Sequence, residues 1–97
     1  MTYGGQSSRY HPERFLMSHA IVSPLPGLFY RKPGPGKDAY ASEGDRIEIG
    51  QTIGVIEIMK QFSEIRSDVQ GVLTSFEVED NGAVNPGDVI AVVEVAP

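Results

Sequence analysis

The chain of 97 residues suits one domain and is too short for two, and its formal net charge of −5 argues against the basic surface that displaces counterions from nucleic acid. It contains no cysteine, which excludes a disulfide framework, a thiolate zinc site and a thiol nucleophile, and makes the cytoplasm the default compartment. Its longest apolar runs are five to six residues, far below the roughly eighteen needed to cross a bilayer, so neither a membrane span nor an export signal is expected.

In chain order, residues 1–19 mix Gly, Ser, Arg, His and Tyr without period and are expected to form a flexible extension, with one folded domain over 20–97. Strands are predicted at 20–22, 27–30, 46–47, 52–57, 62–66, 71–76, 83–84 and 89–94. Between them lie Pro26-Gly27, Pro33-Gly34-Pro35-Gly36, Glu43-Gly44-Asp45, Gly50, Gln70-Gly71, Asp80-Asn81-Gly82 and Asn85-Pro86-Gly87, the residues that turns require. No longer window carries an apolar stripe of period 3.6, so no substantial helix is predicted. The expected fold is all-β, a flattened eight-strand barrel or sandwich of two quasi-symmetric four-strand halves. Its core is expected to draw on Ile53, Val55, Ile65, Val72, Val89 and Val92. Gly54, inside a strand, signals a bulge or a close approach of backbone.

The two halves read as copies of one unit. Gly50-Gln51-Thr52-Ile53-Gly54-Val55-Ile56-Glu57 aligns with Gly87-Asp88-Val89-Ile90-Ala91-Val92-Val93-Glu94, and Ile47 with Val84, at an offset of 37. Gly27-Leu28-Phe29 aligns with Gly71-Val72-Leu73 at an offset of 44. The difference places seven extra residues in the first copy, near Arg31-Lys32-Pro33-Gly34-Pro35-Gly36-Lys37. Two such units bury together an apolar face that neither buries alone.

Lys60 stands where the first copy ends. The apolar run through Ile58 and the alternating Phe62-Ser63-Glu64-Ile65-Arg66 leave Met59 and Lys60 at a hairpin tip, where a primary amine is presented to another protein. A solvated surface lysine is the bland reading of any single lysine, but the hairpin and the repeat both single this one out. Other residues carry less. His11 and His19 lie in the expected extension without a ligand or a base partner at useful spacing, Ser23 lacks the turn of a nucleophilic serine, and Gly34 and Gly36 lack the pattern of a phosphate loop.

Glu57-Ile58-Met59-Lys60 resembles the biotin-attachment motif Glu-Ala-Met-Lys-Met of biotin carboxyl carrier domains, with Ile58 in place of the alanine and Gln61 in place of the second methionine. Ser23-Pro24-Leu25-Pro26-Gly27-Leu28-Phe29-Tyr30-Arg31 is similar to the stretch that precedes a protruding thumb loop in bacterial acetyl-CoA carboxylase carrier subunits, and the seven extra residues fall at the place of that thumb. The resemblance covers about residues 20–95. It implies covalent biotin on Lys60, with Met59 and Glu57 read by a biotin protein ligase. It further implies a carrier without catalytic residues of its own, moving carboxybiotin between a biotin carboxylase and a carboxyltransferase, with no nucleic acid and no membrane among its partners. A lipoyl carrier domain is the nearest alternative, although lipoyl lysines usually follow an acidic residue where Met59 stands here. An unmodified interaction module of the same fold is the other.

Overall fold

The computed structural model describes residues 17–95. Eight strands follow one another: β1 (Met17–Val22), β2 (Gly27–Tyr30), β3 (Arg46–Ile47), β4 (Thr52–Ile58), β5 (Gln61–Arg66), β6 (Gly71–Phe76), β7 (Gly82–Val84) and β8 (Val89–Val95). All eight predicted strands are present, and no helix occurs among the described residues. They form two four-stranded antiparallel sheets, ordered β1-β8-β6-β3 and β5-β4-β2-β7. No strand pair joins the two sheets, so the fold is the sandwich form of the expectation and not a closed barrel.

The repeat explains this order. An offset of 44 carries β1 onto β5 and β2 onto β6, and an offset of 37 carries β3 onto β7 and β4 onto β8. One sheet therefore maps onto the other strand by strand. Each sheet takes two strands from β1–β4 and two from β5–β8, so the copies are interleaved and neither forms a sheet alone. The tight start of each central strand repeats as well. A side chain at Gly27 would run into the Glu57 carbonyl and Ile56, and one at Gly71 into the Glu94 carbonyl and Val93, the same neighbours shifted by 37.

Between the sheets lie Phe29, Ile47, Ile53, Ile56, Leu73, Ile90 and Val93, all fully buried, with Ile21, Ile65 and Val84 beside them. Each large side chain of this kind contributes about 1.5–3 kcal/mol by leaving water. Ile53, Val55 and Ile65 are buried as expected, but Val72 and Val89 are 39% and 37% exposed and Val92 is half-buried. In β6 and β8 the inward residues are instead Leu73, Ile90 and Val93. Successive side chains point to opposite faces, so in β6 taking Val72 for Leu73 inverts the face, and in β8 the pairing with β1 skips Ile90, so that Ile90, Ala91 and Val93 are all buried.

The boundary expected after residue 19 falls inside β1, because Met17, Ser18 and His19 already pair with Val95, Glu94 and Val93. Residues 1–16, including His11, lie outside the described residues. His19 does have a carboxylate partner, since its Nε2 is 2.8 Å from Asp68 Oδ1 in the turn after β5, a contact between segments 49 residues apart. In the turn before β7 the left-handed residue is Asn81 (φ 70°), the counterpart, at an offset of 37, of Gly44 (φ 95°) in the turn before β3.

Candidate functional site

β4 and β5 form a hairpin in register from Gly54↔Ile65 to Ile58↔Gln61, which leaves a loop of only two residues, Met59 and Lys60. Their φ angles are 50° and 67°. Two left-handed residues in a row are the φ signature of a type I′ turn, whose twist matches that of the flanking strands and which usually takes Asn-Gly. Here the turn carries two long side chains instead, at roughly 1–2 kcal/mol per residue for the left-handed backbone. The strands beneath hold it. Ile53, Val55 and Ile56 are buried, and Ile58, although only partly buried, packs against the core, so the branched side chain at 58 is accommodated without disturbing the turn.

The outcome is a hairpin with an exposed tip. Met59 is 90% exposed, which removes a core role for it, and Lys60 is also exposed. Among the described residues no carboxylate forms an ion pair with the Lys60 amine. An acylating enzyme can therefore reach this nitrogen without first breaking a salt bridge. The amine of an exposed lysine suits amide formation, and the two-residue loop fixes where the resulting arm is rooted.

Glu57 lies three residues before Lys60 on the outer face of β4. It does not end the strand, which continues to Ile58. Its Oε1 accepts a hydrogen bond of 3.0 Å from the Tyr30 hydroxyl on β2. That bond, with partial burial and the nearby Glu57 and Asp80 charges, holds the Tyr30 phenol above its ordinary pKa. The Tyr30 ring in turn lies 6.5 Å from the Phe62 ring on β5, centroid to centroid, in a tilted arrangement. The motif places Glu57 near the lysine in sequence, whereas Tyr30 and Phe62 come beside Glu57 only through the pairing of the strands. The alternation of β2, with Phe29 inward and Tyr30 outward, was the available signal, and only the pairing of β2 with β4 turns it into a contact.

The seven extra residues form a closed excursion from the end of β2. Tyr40 N–H donates to the Arg31 carbonyl across the neck at 2.9 Å, and Lys37 N–H donates to the Gly34 carbonyl within the loop. Arg31 roots it: its backbone N–H donates to Asp80 Oδ1, its Nη2 donates to the Val78 carbonyl, and its guanidinium stacks 4.3 Å from the centre of the Phe76 ring. The loop wall, from Lys32 to Gly36, faces Tyr30, Glu57 and Phe62 across an open cavity of about 420 Å³. The expected loop insertion is thus present, and it stands on the same outer face as the acidic residue of the lysine motif. Among the described residues no group of three or more His, Asp and Glu side chains is placed to hold a metal ion, and no helix is long and apolar enough to cross a membrane.

Comparison with known proteins agrees with this geometry. The family model described as "Biotin-requiring enzyme", covering biotinyl and lipoyl domains, matches residues 19–93. The chain is 36% identical over 74 residues to the biotin carboxyl carrier protein of acetyl-CoA carboxylase from Pyropia yezoensis, covering 76% of this chain and 47% of that protein. It is 42% identical over 64 residues to the protein of the same name from Nostoc, covering 66% and 35%. With the one from Haemophilus influenzae the identity is 32% over 79 residues, covering 81% and 51%. The chain thus spans about half the length of these relatives or less. Among solved structures, the urea carboxylase of Kluyveromyces lactis superposes with a TM-score of 0.66 at 23% identity, over 79% of this chain and 6% of that one, a likeness of fold.

Proposed function

The chain belongs to the biotin-requiring-enzyme family of biotinyl and lipoyl domains, and we propose that it is a biotin carboxyl carrier whose attachment point is Lys60. The observation that carries this reading is the placement of Glu57-Ile58-Met59-Lys60, with the lysine exposed on a two-residue left-handed turn at the end of a hairpin. Similarity to carrier proteins of acetyl-CoA carboxylase supports biotin over lipoate as the group carried, and an acetyl-CoA carboxylase as the assembly served.

In this reading each residue has a defined task. Lys60 supplies the amine that attacks biotin activated with ATP as the biotinyl-adenylate, forming the amide as AMP leaves and the amine gives up its proton, and its exposure lets a biotin protein ligase enclose it. Met59 offers that ligase an apolar side chain in the open, and Glu57 offers a carboxylate on the adjoining strand face. The sandwich performs no bond chemistry and holds the root of the arm still. When bound, biotin supplies a ureido nitrogen that takes up a carboxyl group at one active site and yields it at another. The chain would accordingly work between a biotin carboxylase and a carboxyltransferase, in the cytoplasm.

The test is reconstitution. After ligase treatment, the wild-type protein should take up radiocarbon from labelled bicarbonate in the presence of a biotin carboxylase and ATP. Lys60→Arg, which keeps the charge, should take up neither biotin nor label. Incorporation into the arginine variant would sink the assignment.

A further inference from the structure

The outer face of the hairpin sheet contains a row that runs across all four strands. Ala83 on β7 pairs with Leu28 on β2, Leu28 with Glu57 on β4, and Glu57 with Phe62 on β5. Leu28 is 40% and Phe62 62% exposed, and Ala83 is exposed as well. Glu57 is the one charged member of this row. A glutamate has three rotatable side-chain bonds, and a partner that reads its carboxylate must freeze them on binding. Tyr30 removes that need. It pairs with Val55, two residues from Glu57 on the same face, and is therefore the diagonal neighbour across β2 and β4, within reach of a long aromatic side chain. Its hydroxyl holds Oε1 at 3.0 Å, and its ring is backed by Phe62 from the other side.

The chemistry of the clasp matters as much as its geometry. A lysine or arginine in the place of Tyr30 would fix Glu57 equally well but would neutralise it. A phenol donates a hydrogen bond and leaves the negative charge in place, with Oε2 free of any partner among the described residues. The result is an oriented, uncompensated carboxylate in an apolar row, three residues from the acceptor amine, which is the form of anion a basic group on another protein reads at least entropic cost.

We infer that Tyr30 is a positioning residue for the modification of this chain: its hydroxyl presets the Glu57 carboxylate in the orientation that the biotin ligase recognises. This deepens the carrier reading above and rests on it. The role is one of recognition, so it acts on how tightly the ligase takes up the unmodified protein and not on the bond-forming step.

The experiment measures initial rates of biotinylation by a biotin protein ligase, with biotin and ATP saturating and the full chain varied. Tyr30→Phe, which keeps the ring against Phe62, should raise the KM for the carrier roughly three- to tenfold and change kcat by less than about twofold. In a Glu57→Ala background the same replacement should have no further effect, because there is no carboxylate left to position. Glu57→Gln, which keeps an acceptor for the phenol and removes only the charge, should raise KM as well, and it decides the matter should the tyrosine variant fold poorly. An unchanged KM in either Tyr30→Phe or Glu57→Gln would overturn the inference while leaving the carrier reading intact. An equal rise from Tyr30→Phe with and without Glu57 would also overturn it. Failure of the wild-type chain to accept biotin at Lys60 would remove the carrier reading itself and the inference with it.

Discussion

Ser23 and Ser67, 44 residues apart, do the same thing in the two halves of the sandwich. Each is buried, and each hydroxyl donates a 2.6 Å hydrogen bond to the carbonyl two residues on, Leu25 in one case and Val69 in the other. The backbone of each is tied to the turn of the opposite copy: Ser23 to Gly87 and Asp88, Ser67 to Gly50 and Gln51. Replacement of either by alanine should therefore leave a part-buried carbonyl without its donor and cost about 1–3 kcal/mol. Chemical denaturation should show nearly equal losses for Ser23→Ala and Ser67→Ala, and a loss confined to one would break the equivalence.

Gly54 and Phe29 make a second pair that a single methyl group would disturb. The β4–β5 register shifts between Thr52 and Gly54, and a side chain at 54 would meet the edge of the Phe29 ring and the Tyr30 carbonyl. Gly54→Val should destabilise the fold by about 1–3 kcal/mol through overpacking. Gly34→Ala, where an added carbon meets nothing nearer than 3.9 Å, should fall within about 0.5 kcal/mol of wild type in the same denaturation assay.

At the hairpin tip, function and stability should separate. Met59 adopts a left-handed conformation that asparagine takes more readily. Met59→Asn should leave the fold as stable or up to about 1 kcal/mol more stable, while slowing biotinylation because the exposed apolar side chain is gone. Thermal unfolding and ligase kinetics on the same preparation check both halves of that statement.

The Tyr30 clasp should be visible in alkaline titration. Hydrogen bonding to Glu57, then partial burial, then the charges of Glu57 and Asp80 raise the phenol above its ordinary value near 10. A raised pKa means that the folded state holds this proton more tightly than the unfolded chain. Its contribution to stability is complete below about pH 10 and is lost as pH climbs through the raised value. Ultraviolet titration of tyrosinate should show a late-titrating group that Tyr30→Phe removes and Glu57→Ala shifts back toward lower pH. Glu64 behaves in the opposite sense. Arg66 bonds to it and holds its carboxyl below the ordinary range, so that contribution is present above its ordinary value and fades as pH falls through the lowered one.

Much of this molecule was legible in the sequence because two independent signals coincide. Turn residues at short intervals fixed the eight strands, and the repeat offsets of 37 and 44 located both the extra loop and the junction that carries Lys60. Facing was less legible. Val72 and Leu73 are both apolar, as are Val89 and Ile90, and composition alone does not say which of two adjacent hydrophobes points inward. The two halves also differ locally, since Val55 pairs with the outward Tyr30 and is yet only 5% exposed, whereas its counterpart Val92 is half-buried. Contacts made only by the sheet order, such as Tyr30 with Glu57 and His19 with Asp68, join residues 27 and 49 positions apart and leave no local trace.

The most direct test of the central claim is the intact mass and peptide map of the chain after incubation with biotin protein ligase, and in parallel with a lipoate ligase. The chain has three lysines, at 32, 37 and 60. The account predicts a single biotinyl increment located on Lys60, with Lys32 and Lys37 unmodified. A lipoyl increment, a biotin found on the loop lysines, or no increment under either ligase would contradict it.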